Sequence, residues 1–453
     1  MSSRAWNTSY ERRKLERDVC LLQDLYDLVA RDLEDDREPD DGDDDDDDDD
    51  DNDSFSSSFD DSISSLSSMD SSQTSSESDD DVELLEMLTE HTLTWAHRVL
   101  SQVQNDKIVF GQRLFIMNFT DSECISHFRF RKNDLQAFAD QLWPRVSPFL
   151  GPNNQDLTLQ NRYHAPYETC LLIYLFKMSR PRRLHEDCES VFGMRKSHLS
   201  SAILTFARGL FLLAIKYLLD PRIWHARMPY YASLVSRATN ELMRNIWGFI
   251  DGTYRPTARP IRYQHLCYTR YKKCHAIKFQ SIVTPDGMIA YLFGPFVGKR
   301  HDARMLAESG LMTILADLMP ADGRNGQVYA LYGDLAYPQS IWLFGGFLNP
   351  VQGSLEAQFN RQMSQARIAV EWGFNDIVTQ FRHLDLTVNM KWLKEPIAVH
   401  YMNCAFLCNI RNCFYGNEGL AYFGAEAMSL VDYLALINGC RDLSACITYL
   451  LFL

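Results

Sequence analysis

The spacing of apolar positions changes along the chain near residue 243. Between about residues 83 and 240, apolar side chains recur every three or four positions, which predicts a mostly helical region. Beyond residue 243, short apolar runs bounded by turn residues predict strands that alternate with helices. Helical spacing also occurs near the start of the chain, where it predicts a short amphipathic helix built on Leu15, Val19, Leu22, Leu25, Leu28 and Val29.

The second region has the pattern of a mixed sheet flanked by helices. Two apolar runs end on acidic residues, which predicts buried strands ending at Asp251 and Asp334. Between them, Pro285-Asp286-Gly287 is a strong turn signal and predicts a hairpin. An order of strand, hairpin, helix, strand and helix indicates an α/β fold. The predicted elements are the strands 246–251 and 328–334, the hairpin 275–293 and the helices 300–319, 355–381 and 393–413.

The helical region contains the outline of a helix-turn-helix at residues 185–210. A break at Gly193 separates two helical stretches, and Ser197 is placed to cap the second one. In such a unit the second helix enters the major groove of DNA. The alternative is a helical hairpin with a purely structural role. The positions for phosphate or base contacts are held by Arg195, Lys196 and His198.

Charge is distributed unevenly. Residues 32–83 hold 25 of the 60 acidic residues and one of the 45 basic ones, so the rest of the chain carries a net charge of about +9. An acidic, Ser-rich segment cannot bury enough apolar surface to fold, and we expect it to be disordered. The expected segments are an N-terminal helix (1–32), the acidic segment (33–83), a helical domain (84–240), an α/β domain (241–415) and a C-terminal tail (416–453).

The cysteines and the hydropathy exclude several protein classes. The eleven cysteines contain no CxxC pair, and residues 1–20 are polar, which favours a reducing compartment over secretion. The most apolar long segment, 202–219, carries two basic residues and is expected to be a soluble helix, with no membrane partner. One cluster has zinc-ligand residue types but not the spacing of a standard zinc finger: His265, Cys267, Cys274 and His275.

Three carboxylates lie at the ends or edges of predicted elements: Asp251, Asp334 and Glu371. If the two strands are neighbours, their carboxyl ends meet, and the helix 355–381 can deliver the third carboxylate. Clustered carboxylates repel one another unless a cation lies among them, and hard oxygen ligands favour Mg²⁺ or Mn²⁺. The alternative is three unrelated surface acids, with Glu371 paired to Arg367 one turn earlier.

Around these residues the sequence resembles the transposases of PIF/Harbinger-type DNA transposons and the host genes derived from them. The similarity covers about residues 125–415, and its order of motifs is more specific than any single motif. It departs from the usual GDSGYP motif at Leu335 and Ala336, while Gly333, Asp334 and Tyr337 match. The matching stretches are 249–260 (FIDGTYRPTARP), 268–311, 331–338 (LYGDLAYP) and 359–374 (FNRQMSQARIAVEWGF).

The resemblance implies a ribonuclease-H-like fold for residues 241–415 and a catalytic triad of Asp251, Asp334 and Glu371. It also implies a further metal position at Asp302, although a helix N-cap explains that residue equally well. The implied cofactor is a pair of Mg²⁺ or Mn²⁺ ions, which support phosphodiester cleavage of DNA and strand joining.

The partners expected from the resemblance are double-stranded DNA, further copies of this chain and a separately encoded Myb-like DNA-binding protein. The expected location is the nucleus, with a cytoplasmic pool also compatible. The alternative functions are a non-catalytic DNA-binding or regulatory protein derived from a transposase, and an interaction scaffold built around the acidic segment.

Overall fold

A computed structural model describes residues 114–439, apart from gaps at 151–155, 160–162, 182–190, 262–263, 324–325 and 392–394. All of these residues lie in one compact unit, Leu88–Leu453. The predicted N-terminal helix, the acidic segment and residues 440–453 lie outside the described residues.

The described chain is helical up to residue 240, as the apolar spacing predicts, and adds one small antiparallel strand pair. Its apolar side chains join those of the sheet in a continuous hydrophobic core. Its elements are the helices α1 (Asp121–Phe128), α2 (Lys132–Leu150), α3 (Tyr167–Ser179), α4 (Lys196–Leu218) and α5 (Met228–Ala238), and the strands β1 (Asp156–Thr158) and β2 (His164–Pro166).

Helix α4 is a core helix. Within the described residues it is the only helix long and apolar enough to cross a membrane, and most of that stretch is buried inside the protein, as a soluble core helix would be. It begins at Lys196 with Arg195 as its N-cap, so the predicted cap at Ser197 is wrong by two residues. His198 is buried and stacks on Tyr163, which removes it from the predicted DNA contacts. Only Arg195 and Lys196 of the three predicted contact residues remain exposed.

The sheet is mixed, as predicted. Antiparallel strands lie on one side of β3 and parallel strands on the other, in the order β5-β3-β7-β8, with β6 and the short β4 also paired to β5. This arrangement and its helical layers are consistent with a ribonuclease-H-like fold. The strands are β3 (Ile246–Pro256), β4 (Tyr268–Thr269), β5 (Cys274–Val283), β6 (Ile289–Val297), β7 (Ala330–Tyr332) and β8 (Leu343–Phe344).

Two strand ends differ from the sequence prediction. Strand β3 continues five residues past Asp251, because residues up to Pro256 stay paired with β5. Strand β7 stops at Tyr332, two residues before Asp334. The predicted hairpin is confirmed as β5 and β6, and Gly287 in its turn has a φ of 73°, a conformation that favours glycine.

A buried carboxylate holds the β5–β6 turn. Asp286 accepts hydrogen bonds from the hydroxyls of Tyr231, at 2.8 Å, and Thr284, and a weaker one from the amide of Met288 at 3.4 Å. The guanidinium of Arg227 lies 3.8 Å away. Burial raises the pKa of Asp286, opposed by these donors. The carboxylate therefore ties helix α5 to the hairpin.

The remaining helices cover the sheet. The predicted helix 300–319 is divided, because Gly310 adopts a φ of 62° between two shorter helices. Helices α4 and α10 pack against β6, while α5 and α9 pack against β3. The helices that follow β3 in the chain are α6 (Gln264–Cys267), α7 (Asp302–Glu308), α8 (Leu311–Leu318), α9 (Leu355–Gln380), α10 (Ile397–Tyr415), α11 (Glu418–Phe423) and α12 (Leu430–Ala435).

Candidate functional site

Asp251 lies where one edge of β3 becomes free. Strand β7 runs parallel to β3, and its last residue, Tyr332, is opposite Phe249. Beyond that point β3 keeps its antiparallel partner β5, with Ser281 opposite Asp251. The predicted adjacency of the two strands is confirmed, and the chain after β7 carries Asp334 past this open edge.

The Asp251 carboxylate has few donors. One oxygen accepts from the amide of the next residue, Gly252, at 2.8 Å, and the other pairs with the guanidinium of Arg367 at 2.8 Å. Burial raises the pKa of Asp251 to about 6; Arg367 opposes that rise, and Asp334 and Asp302 add to it. The carboxylate is therefore held between one cation and two like charges, and its protonated form is more favoured than in an ordinary aspartate.

Asp334 is positioned by a tight turn. Its Oδ1 accepts from the amide of Ala336 at 3.0 Å, and the preceding Gly333 packs directly on Ile250 and Tyr337. A methyl group on Gly333 would lie 2.9 Å from each of those side chains, so glycine is required for this approach. Burial and then Asp302 raise the pKa of Asp334.

Asp302 is held by a lysine. Its Oδ1 pairs with the ammonium of Lys278 at 2.8 Å, and the same ammonium donates to the carbonyl of Arg300 at 2.7 Å. The predicted N-cap role is wrong, because His301 is the N-cap and Asp302 is the first residue of α7. Its carboxylate instead packs on Gly252, where an added Cβ would lie 2.6 Å from Oδ1.

The two ion pairs lie on opposite faces of the sheet. Side chains alternate along a strand, so Asp251 and the Cβ position of Gly252 face opposite sides. Arg367 approaches Asp251 from α9 on one side, and Asp302 with Lys278 approaches Gly252 from the other. Asp334 follows the end of β7 at the edge between them.

Glu371 stands apart from this cluster. It is exposed and lies one turn beyond Arg367 on α9. The alternative pairing of Glu371 with Arg367 is not observed, because Arg367 reaches Asp251 instead. Residues four apart lie on one side of a helix, so Glu371 and Arg367 share one side of α9.

A buried tyrosine adjoins the aspartates. Tyr337 is 3% exposed, and its hydroxyl has no hydrogen-bond partner among the described atoms. Burial first, and then Asp302, Asp251 and Asp334, raise the pKa of Tyr337 well above 10. The hydroxyl is therefore neutral, and it is a buried hydrogen-bond donor beside the aspartates.

The donor chemistry of the cluster suits Mg²⁺ or Mn²⁺, since it consists of carboxylate oxygens. Among the residues that the structure describes, no three His, Cys, Asp or Glu side chains already surround a common point. The zinc interpretation of the cluster at 265–275 gains no support for the same reason. At the aspartates, Arg367 and Lys278 supply the positive charge that a divalent ion would otherwise provide.

Comparison with known proteins gives a match, and that match includes the predicted site residues. Residues 250–409 match the family model described as DDE superfamily endonuclease. The matched segment is therefore similar to the endonuclease domains of the DDE superfamily. It contains Asp251, Asp302, Asp334 and Glu371, so all four predicted site residues lie inside it. The comparisons found no match among curated proteins or among solved structures.

Asp334 and Asp302 raise the pKa of Asp251, and Asp302 raises that of Asp334, whereas Glu371 lies one helical turn from the pair formed by Arg367 and Asp251. Sequence reasoning missed Lys278 and the burial of Tyr337. A signal for Lys278 was present: it is a lysine inside the apolar run 276–283, where a buried charge requires a partner.

Proposed function

We propose that the chain is a divalent-metal-dependent DNA endonuclease of the PIF/Harbinger transposase type. The observation that carries this proposal is the meeting of Asp251 and Asp334 at the open edge of β3, inside the segment that matches the DDE endonucleases. The proposed substrate is the phosphodiester backbone of double-stranded DNA. The proposed location is the nucleus, with further copies of the chain and a Myb-like protein as partners.

Asp251 and Asp334 would hold Mg²⁺ or Mn²⁺, with Glu371 as the third carboxylate. Asp302 becomes available as a ligand only if its salt bridge to Lys278 opens. When bound, such ions polarise a scissile phosphate and lower the pKa of a water molecule. Asp251 and Asp334 repel each other in the free protein, which favours the binding of cations at this edge.

Arg367 and Tyr337 are proposed to act on the DNA itself. The guanidinium of Arg367 lies beside Asp251 and has the planar fork that binds phosphate oxygens. The hydroxyl of Tyr337 is a donor without a described partner at the same edge. Both groups would orient the scissile phosphate, and the freed 3′-hydroxyl would attack a second strand in a joining step.

The test is cleavage of supercoiled plasmid by the purified full chain with Mn²⁺, beside the Asp334→Asn variant and an EDTA control. We expect nicking by the wild-type chain and none by the variant or with EDTA. Salt-dependent DNA binding without cleavage would favour the non-catalytic DNA-binding alternative. Equal nicking by Asp334→Asn would overturn the assignment of the site.

A further inference from the structure

A short hairpin projects from the sheet on the same strand ladder as the candidate site. Strand β4 pairs only with the first two residues of β5, Tyr268 with His275 and Thr269 with Cys274. The register of β3 with β5 ends at Ala276, so these pairs lie beyond the end of β3. We call residues 268–275 the basic hairpin.

The surface of the basic hairpin is positively charged and aromatic. Arg270, Lys272 and Lys273 are exposed, and Tyr271 is 78% exposed with the ammonium of Lys272 4.7 Å from its ring centroid. Tyr268 is 39% exposed. Exposed tyrosines between cations suit a sugar-phosphate surface, which offers both anionic oxygens and apolar sugar faces.

The charge of the basic hairpin is not neutralised locally. Residues 252–285 contain seven Lys and Arg and no Asp or Glu, in a chain with a net charge of −15. Arg244, by contrast, is an exposed cation that pairs with a close neighbour, Glu241, at 2.8 Å. Within the described residues, Arg270, Lys272 and Lys273 form no ion pair. Solvated surface cations are common, but an acid-free run of this length is typical of a polyanion-binding face.

The base of the basic hairpin is held firmly. The amide of Thr257 donates to the carbonyl of His275 at 2.8 Å. Gly298, at the end of β6, packs so closely that a Cβ there would lie 2.6 Å from the carbonyl oxygen of Cys267. The turn of the basic hairpin, residues 270–273, therefore lies at a fixed distance from the candidate site.

That distance follows from the strand register. Ser281 lies opposite Asp251, and Cys274, where the tip begins, is seven residues further along β5. At about 3.4 Å per residue this is about 24 Å. Successive phosphates on one DNA strand advance about 3.4 Å along the helix axis, so the separation corresponds to about seven base pairs.

We propose that the basic hairpin binds the backbone of duplex DNA about seven base pairs from the scissile bond, with Lys272 and Lys273 contacting phosphates and Tyr271 contacting sugars. This inference rests on the proposed function. The contact does not depend on the base sequence of the DNA. It sets the direction in which the duplex leaves the candidate site.

The test compares Lys272→Gln/Lys273→Gln with a matched control, Arg237→Gln/Arg244→Gln. Both controls are exposed, and Arg244 lies at the opposite end of the β3 strand. Affinity for a duplex of mixed sequence is measured with the full chain between about 50 and 200 mM salt. Loss of two phosphate contacts lowers the salt slope by about 1.8, so the wild-type chain should lose about ten-fold more affinity over this range than the hairpin variant.

The control variant should keep the wild-type slope. If the wild-type chain binds the duplex and Lys272→Gln/Lys273→Gln has the same salt slope, the hairpin inference is overturned and the proposed function is not. Absence of duplex binding by the wild-type chain would overturn the proposed function as well.

A second readout does not depend on affinity. A benzophenone-bearing amino acid in place of Tyr271 should crosslink to DNA about seven nucleotides from the nick made with Mn²⁺. Crosslinking from position 244 but not from position 271 would contradict the proposed path of the DNA.

Discussion

Two aspartates beside strand β5 have opposite surroundings: Asp251 lies on the neighbouring strand β3, and Asp286 lies in the β5–β6 turn. Asp286 is 2% exposed and accepts from two hydroxyls and a backbone amide, with Arg227 close by. Among the described residues, Asp251 accepts from its neighbouring amide and from Arg367 alone. In addition, Asp334 raises the pKa of Asp251, whereas the hydroxyl and amide donors and Arg227 lower that of Asp286.

The difference separates an anchor from a site. Fixed donors enclose Asp286, so its charge is fully used in holding helix α5 against the hairpin. Asp251 depends on one long side chain for compensation and is opposed by like charges. A carboxylate in that position lowers the stability of the free protein. Such a residue is typical of a site that binds an external cation.

The largest expected effect concerns the third carboxylate. Glu371→Gln keeps the size of the side chain and the helix but removes the charge, and we expect Mn²⁺-dependent cleavage to fall by roughly 10³-fold. Asp302→Asn should have a smaller effect, because Asp302 is already bound to Lys278. The measurement is the single-turnover rate of Mn²⁺-dependent cleavage by each of the two variants. The opposite ranking would identify Asp302 as the third ligand.

The second prediction tests the anchor. Asp286→Ala leaves the hydroxyls of Tyr231 and Thr284 and the charge of Arg227 without their buried partner. We expect the free energy of unfolding to fall by about 3–5 kcal/mol, as measured by urea denaturation. Asp251→Asn under the same conditions should not destabilise the protein, and an equal loss in both variants would erase the distinction.

The third prediction follows from the raised pKa of Asp251, about 6 against 3.8 for an ordinary aspartate. Between those values the folded protein holds a proton that the unfolded chain releases, so stability falls as pH rises and the cost is complete above pH 6. Asp251→Asn should therefore raise the free energy of unfolding at pH 8 by at most about 3 kcal/mol. The gain should vanish near pH 4, and a gain that persists there would have another cause.

The smallest effect concerns the cation. Arg367→Gln removes the guanidinium that pairs with Asp251 in the free protein. We expect a loss of about 1 kcal/mol of stability at pH 8 in EDTA, because the pair is only partly buried. Mn²⁺ should restore most of that loss by supplying the missing positive charge. Identical losses with and without Mn²⁺ would show that Arg367 acts only in packing.

The elements with strong local signals could be predicted from the sequence. The hairpin around Gly287 and the helix α9 follow from turn chemistry and periodicity, and both are confirmed. The end of β3 could not be predicted, because it depends on β5 remaining paired to Pro256 while β7 stops at Tyr332. Strand ends are set by partners far along the chain.

The residue types of the candidate site could also be predicted, but not its pairings. The sequence prediction placed the strands of Asp251 and Asp334 side by side, and β3 and β7 are parallel neighbours. The partner of Arg367 is 116 residues away, and helical spacing pointed to Glu371 instead. Spacing along one helix gives no information about a charged residue that the fold places nearby from another strand or helix.

The most direct test of the account is Mn²⁺ binding measured by calorimetry on the wild-type chain, Asp251→Asn/Asp334→Asn and Asp286→Asn. We expect Mn²⁺ binding to the wild-type chain and to folded Asp286→Asn, and its loss in the double variant. Binding that survives in Asp251→Asn/Asp334→Asn, or no binding to the wild-type chain, would contradict the claim that these two aspartates form the metal site.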